Sequence, residues 1–186
     1  MFNRNVRIIL NFFSFINNKA TVNLKPTIGL ANYFSNYKLS DGSIVNVNIM
    51  DTSGQEIFRA LNTIYYKMAD CCLLVYDITN IDSFKEIKYY NEQIKENCKK
   101  NVKVILLGNK SDLENERKVS SEKAAKYSMI NDYIFMETSC FKNKNVADAF
   151  STLIEITNIE SKKNNKSNCN IILEKNIQKN KKNSFC

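Results

Sequence analysis

Asp51-Thr52-Ser53-Gly54-Gln55-Glu56 follows a run in which Val45, Val47 and Ile49 lie on one face and Asn46, Asn48 and Met50 on the other. A period of two marks a strand. An acidic residue at the carboxyl end of a strand, before a tight glycine turn, stands where open α/β sheets bind ligands. Gly54 has no Cβ, so its N–H can come close to a terminal phosphate. Asp51 can hold a magnesium ion through its second shell, and Gln55 can orient an attacking water, which is the positioning that phosphoryl transfer needs. A polar loop after a strand is the alternative, so the stretch needs support from elsewhere in the chain.

Support comes as three further blocks in a fixed order: Thr27-Ile28-Gly29 upstream, Asn109-Lys110-Ser111-Asp112 after an apolar run, and Glu137-Thr138-Ser139-Cys140 last. The four blocks together resemble the Ras superfamily of small GTPases over roughly Phe15 to Ser161. Leu74-Val75-Tyr76-Asp77-Ile78-Thr79, Tyr65-Tyr66 and a Lys-rich tail ending in Cys186 narrow the resemblance to the Rab branch. It implies a P-loop NTPase small-GTPase fold: a three-layer α/β sandwich on a mainly parallel sheet with one antiparallel edge strand. Residues 1–161 would form the domain, with 1–14 atypical, and 162–186 a disordered basic tail.

The same resemblance assigns roles. Thr27 would ligate magnesium and touch the γ-phosphate of GTP, Asp51 would hold the ion at second hand, and Gly54 and Gln55 would serve the γ-phosphate and the water. Asp112 would accept the N1 and 2-amino protons of guanine, a charge-assisted pair that adenine cannot offer. Asn109 would brace loops and base, and the aliphatic stem of Lys110 would lie over the ring. Backbone N–H groups of Ser139 and Cys140 would meet the guanine O6. Effectors, exchange factors and GTPase-activating proteins are the implied partners, on the cytosolic face of an endomembrane, in vesicle traffic.

The chain departs from the Rab pattern at several positions. Met50 stands where Trp is usual, Ser53 for Ala, Ile57 for Arg, and Cys140-Phe141 for Ala-Lys. Ala31-Asn32 replaces Asp-Phe, and one extra residue separates Thr27 from Asp41-Gly42. Met is an adaptable apolar filler, so Met50 is expected to preserve a hydrophobic effector surface with altered specificity.

The largest departure is the missing phosphate loop. G-x-x-x-x-G-K-[ST] supplies backbone N–H groups and a Lys to the phosphates and a hydroxyl to magnesium. This chain has only four glycines, at 29, 42, 54 and 108, and no Gly-Lys pair. Three readings of the first twenty residues compete. Arg4 followed by the apolar run Val6–Ile16 can pass for a weak signal peptide. Aligning Phe15 and Thr27 with the Rab pattern puts Ile8 and Ile9 where the loop's Lys and Ser belong, and leaves the sheet without its central strand. Taking Val6–Phe13 as that strand rescues the sheet but not the phosphate site. The expectation adopted is an N-terminally incomplete domain whose sequence starts too late, with a nucleotide-free scaffold that binds effectors as the alternative.

Composition sets the remaining bounds. The 186 residues, 44% hydrophobic and 25% charged, suit one globular domain. Much of the formal charge of +8 is in the tail, where 161–186 hold seven Lys against Glu174. A basic tail favours an anionic membrane surface; no nucleic-acid motif accompanies it, so no nucleic acid is expected as partner. With no His, imidazole triads and bases are excluded. Six Cys without a CxxC pair argue against zinc and a disulfide framework, and suit a reducing cytosol. Cys71 and Cys72 read as small core residues, and Cys186 as a geranylgeranyl acceptor. Strands are expected at Asn32–Leu39, Ser43–Met50, Cys71–Tyr76, Val102–Leu107 and Tyr133–Met136. Helices are expected from Ser83, as a capping box, over Ser120–Met129, and along Val146–Ile156.

Overall fold

The computed structural model describes residues 4–10, 30–52 and 59–161, with side chains placed for 33–50 and 63–161. Six strands form one sheet in the order β2-β3-β1-β4-β5-β6: β1 Arg4–Leu10, β2 Leu30–Lys38, β3 Ile44–Thr52, β4 Cys71–Asp77, β5 Lys103–Asn109 and β6 Ile134–Glu137. Only the β2–β3 pair is antiparallel. The helices are α1 Arg59–Met68, α2 Ile81–Asn97, α3 Ser121–Asn131 and α4 at residues 146–161.

The central strand is present, which corrects the register that leaves the sheet without one. Arg4 to Leu10 pair in parallel with Val45 to Asp51, and Ile8 to Leu10 with Cys71 to Leu73. Without this strand β3 and β4 would each bury a row of unpaired backbone groups mid-sheet, a cost that selects whatever apolar run precedes them. The strand reading therefore holds in kind and shifts in bounds, from Val6–Phe13 to Arg4–Leu10. The sequence that follows has no glycine before Gly29, so a strand in place still does not bring a phosphate loop with it.

Alternation along the parallel strands builds two cores. Cys71, Leu73, Val75, Ile105 and Leu107 face one side with Val45 and Val47, under Val146, Ala149, Leu153 and Ile154 of α4. Cys72, Leu74, Tyr76, Val104 and Leu106 face the other, under Tyr66 of α1, Phe84, Ile87 and Ile94 of α2 and Ala124 of α3. All but the last residue of β4 are buried, as a strand covered on both faces requires. Met50 belongs to the second core at 2% exposure, so it does not offer the effector surface expected of it. Tyr66 is likewise core, at 2%.

One helix start differs from its sequence signal. Asn80, not Ser83, caps α2: its Oδ1 accepts from the N–H groups of Asp82 and Ser83 at 2.9 and 3.4 Å. Ser83 instead uses its hydroxyl on the backbone, accepting from Asp77 N–H at 3.0 Å and donating to Asn80 O at 2.7 Å. The helix thus begins three residues early, and Ser83 ties its first turn to the end of β4. Ser120, expected as the first residue of a helix, instead caps α3, accepting from Lys123 N–H at 3.3 Å.

Candidate guanine-binding site

Asp51, Asp77, Asn109 and Glu137 stand at the carboxyl ends of β3, β4, β5 and β6, along one edge of the sheet. Register fixes this: Leu10 lies beside Asp51 and Leu73, and Asp77 beside Asn109. This is the edge at which open parallel sheets bind ligands.

Asn109 ends β5 with its side chain 3% exposed. Its Oδ1 accepts from Cys140 N–H at 3.3 Å and from the Thr138 hydroxyl at 3.5 Å, so one amide ties the two loops. Gly108 precedes it because nothing larger fits: a Cβ there would stand 2.8 Å from the Tyr76 hydroxyl oxygen. Lys110 then turns the chain with a φ of 65°, in the left-handed region that non-glycine residues seldom occupy. Its ammonium pairs with Asp77 Oδ2 at 2.7 Å. Burial raises the Asp77 carboxyl, and bonds from Lys110 and Thr79 outweigh that, leaving its pKa below the ordinary carboxylate value.

Asp112 is partly exposed, and its Oδ1 accepts the Ser139 hydroxyl proton at 2.5 Å. Ser139 is fully buried. A carboxylate oxygen has two lone pairs, so one such bond orients the group without using up its acceptors. Asp112 thus fits a flat partner with two adjacent donors, the pattern guanine presents. The two N–H groups expected to meet O6 both have partners within the chain. Ser139 N–H is committed to Lys144 O at 3.0 Å, and Cys140 N–H donates to Asn109 Oδ1 at 3.3 Å. Ser139 also contributes its side chain, whose hydroxyl donates to Asp112.

Sequence reasoning missed the residue that fixes this loop. Arg117 spends its whole guanidinium on the surrounding chain. Nη1 and Nη2 reach Glu137 Oε1 and Oε2 at 2.8 and 2.9 Å, Nε and Nη2 reach Glu114 at 2.7 Å each, and Nη1 also meets Val119 O at 3.0 Å. The hydrogen bonds it donates to both carboxylates raise its pKa further. Ser121 donates to Glu137 Oε1 at 2.7 Å, and Asn145 Nδ2 to Glu137 O at 2.8 Å. The residue two places before Ser139 is thus held from three sides. Twenty positions separate Arg117 from Glu137, too far for any local spacing rule to pair them.

Thr27, Gly54, Gln55 and Cys186 lie outside the described residues, as does the side chain of Asp51. Among the described residues no cluster of three Cys, Asp or Glu side chains could hold a metal ion.

A model of the Ras family matches residues 10–159. Ras-related protein Rab11A of Lotus japonicus is 38% identical over 150 residues, covering 80% of this chain and 66% of that protein. Ras-related protein RABA4a of Arabidopsis thaliana is 40% identical over 140 residues, covering 75% and 62%. Ras-related protein RGP1 of Oryza sativa subsp. japonica is 40% identical over 152 residues, covering 81% and 66%. The match thus spans just under two thirds of each of these relatives.

Proposed function

The chain belongs to the Ras family as a Rab-type small GTPase, and from that membership we propose that its Asn109–Asp112 and Ser139–Cys140 loops read guanine in a membrane-traffic switch. The observation that carries the reading is the partly exposed Asp112 carboxylate, oriented by the buried Ser139 hydroxyl. Asp112 would select the base, Cys140 N–H would meet O6, and Asn109 would hold the two loops at the right separation. Lys110 would cover the ring with its stem while Asp77 anchors its ammonium.

Thr27, Asp51, Gly54 and Gln55 are assigned to magnesium, the γ-phosphate and the hydrolytic water by their match to the family pattern alone. Magnesium, when bound with GTP, would neutralise phosphate charge. Regulator and effector proteins are the expected partners. The scaffold reading is kept because one observation favours it: no Gly-Lys pair exists anywhere in the sequence to cradle phosphates.

Asp112→Asn tests the base assignment. Its amide loses one acceptor and gains a donor, so guanine should be disfavoured and xanthine, with a carbonyl where guanine has the amino group, preferred. Losing a charge-assisted bond of ~1.5–3 kcal/mol corresponds to roughly 10- to 150-fold in relative affinity. Ligand-observed competition between GDP and xanthosine diphosphate reads the ratio directly. An unchanged ratio would remove Asp112 from base reading.

The tail is proposed as a reversible anchor, with Cys186 geranylgeranylated and the tail lysines lying on an anionic leaflet. Among the described residues no helix is long and apolar enough to cross a membrane. One lipid chain binds only marginally, and each Lys near the leaflet adds ~1 kcal/mol, so lipid and charge would act together. Intact-mass spectrometry of protein from its native cells should find the prenyl adduct, and Cys186→Ser should abolish both adduct and membrane sedimentation. An unlipidated parent, or a sedimenting variant, would overturn the anchor.

A further inference from the structure

Two thiols face each other at the end of the sheet opposite the base site. Cys72 is the second residue of β4, and its side chain points into the helix-covered core at 1% exposure. Cys98 follows α2 as its C-cap, in extended backbone, and is partly exposed. Their Sγ atoms lie 4.0 Å apart. Alternation along the strand directs neighbouring Cys71 to the other face, where it is fully buried, its thiol pushed up to about 12 chiefly by burial. Cys140 stands with the base-site loops. Among the described cysteines, Cys72 and Cys98 are thus in contact across the α2–β4 interface, the first buried and the second partly exposed.

We propose that Cys72 and Cys98 are a reversible oxidation site for hydroperoxides, forming an intrachain disulfide that fastens the end of α2 to the start of β4. Cys98 reacts first because small oxidants can reach it. Its thiolate attacks the terminal peroxide oxygen, the O–O bond breaks, and Cys98 becomes a sulfenic acid while the departing alkoxide takes up the proton the thiol had released and leaves as an alcohol (water, from hydrogen peroxide). Cys72 then attacks the Cys98 sulfur. The S–S bond forms, the S–O bond breaks, and hydroxide takes the Cys72 proton to leave as water. Two thiols lose two electrons and the peroxide gains them. A dithiol reductant reverses the step by exchange.

The surroundings suit these roles. The hydrogen bond between the thiols, followed by the Lys99 charge, holds the Cys98 pKa below the ordinary thiol value against the opposing effect of burial. The same bond, with burial, raises Cys72, the opposite direction from Cys98. Cys98 is the C-cap of α2, its N–H bonded to Ile94 O at 2.9 Å and its own backbone extended. Cys72 stands at the start of β4 and Asp77 at its end, so the bridge is independent of the base-site reading and should leave nucleotide preference alone.

The test is peptide mapping of the full chain after dithiothreitol reduction, hydrogen peroxide treatment, denaturation and alkylation. A cross-linked Cys72–Cys98 peptide, ~2 Da lighter than its two thiol halves, is expected. It should vanish on reduction, be absent from Cys98→Ala and persist in Cys71→Ala. In Cys72→Ala, Cys98 should accumulate as a sulfenic acid that dimedone traps, several-fold above the parent. Should Cys72→Ala fail to fold, the cross-link in the parent decides the matter unaided. Cys98 oxidised or alkylated without Cys72 attached, or linked instead to Cys140, Cys169, Cys186 or a second chain, would overturn the proposal.

Discussion

The 186-residue chain is expected to bind GDP with magnesium no tighter than the micromolar range. The base site is assembled, with Asp112 oriented by Ser139 and Asn109 holding Cys140. The phosphates find no Gly-rich cradle, because the four glycines are scattered at 29, 42, 54 and 108 and none precedes a Lys. Losing three charge-assisted bonds at ~1.5–3 kcal/mol each removes roughly 4.5–9 kcal/mol, or about three to seven powers of ten in affinity. Lys110 is no substitute, since its ammonium is already paired with Asp77 at 2.7 Å. Isothermal calorimetry measures the constant. Nanomolar GDP would show that other residues of this chain build a phosphate site.

Arg117→Met should lower stability more than any change at the base-contacting residues. The side chains of Arg117 and Glu137 are only 15% and 23% exposed, so removing the guanidinium leaves a carboxylate short of partners in a poorly solvated place. Glu114 is 64% exposed and loses little, because water replaces its partner. A loss of about 2–4 kcal/mol is expected, toward the lower end of what breaking a buried pair costs. That amounts to a fall of roughly 5–15 °C in the thermal midpoint for a chain of this size. Arg117→Lys should fall between, since an ammonium cannot fork to both oxygens of Glu137. Adding Glu137→Gln to Arg117→Met should recover part of the loss, because the stranded charge is gone. A change under ~0.5 kcal/mol in Arg117→Met would mean the clamp is decoration on an already rigid loop.

Much of this arrangement was legible because it depends on period and order. Cys71–Tyr76 and Val102–Leu107 differ by a residue or two from the observed β4 and β5, since unbroken apolar runs admit few other readings. Asn109 and Asp112 are local to one strand end, and the loop at Ser139 comes where the family order puts it. What could not be read depends on distant partners. Arg117 looks like any surface Arg until β6 brings Glu137 to it. Cys72 and Cys98 are 26 positions apart and meet only because α2 packs back on β4. The misread N-terminus has a different cause. The register adopted aligned Phe15 with the family pattern and placed no strand before it. The sheet instead recruited Arg4–Leu10, because two interior edges need a strand more than that alignment needs its loop.

Comparing guanosine with GDP on the 186-residue chain tests the central claim most directly, because the two differ only in the phosphates, for which the sequence holds no Gly-Lys loop. The account predicts that guanosine and GDP bind within about tenfold of each other, and that both exceed adenosine by roughly 10- to 150-fold, the worth of the Asp112 pair. GDP exceeding guanosine by several powers of ten, or guanosine binding no better than adenosine, would contradict it.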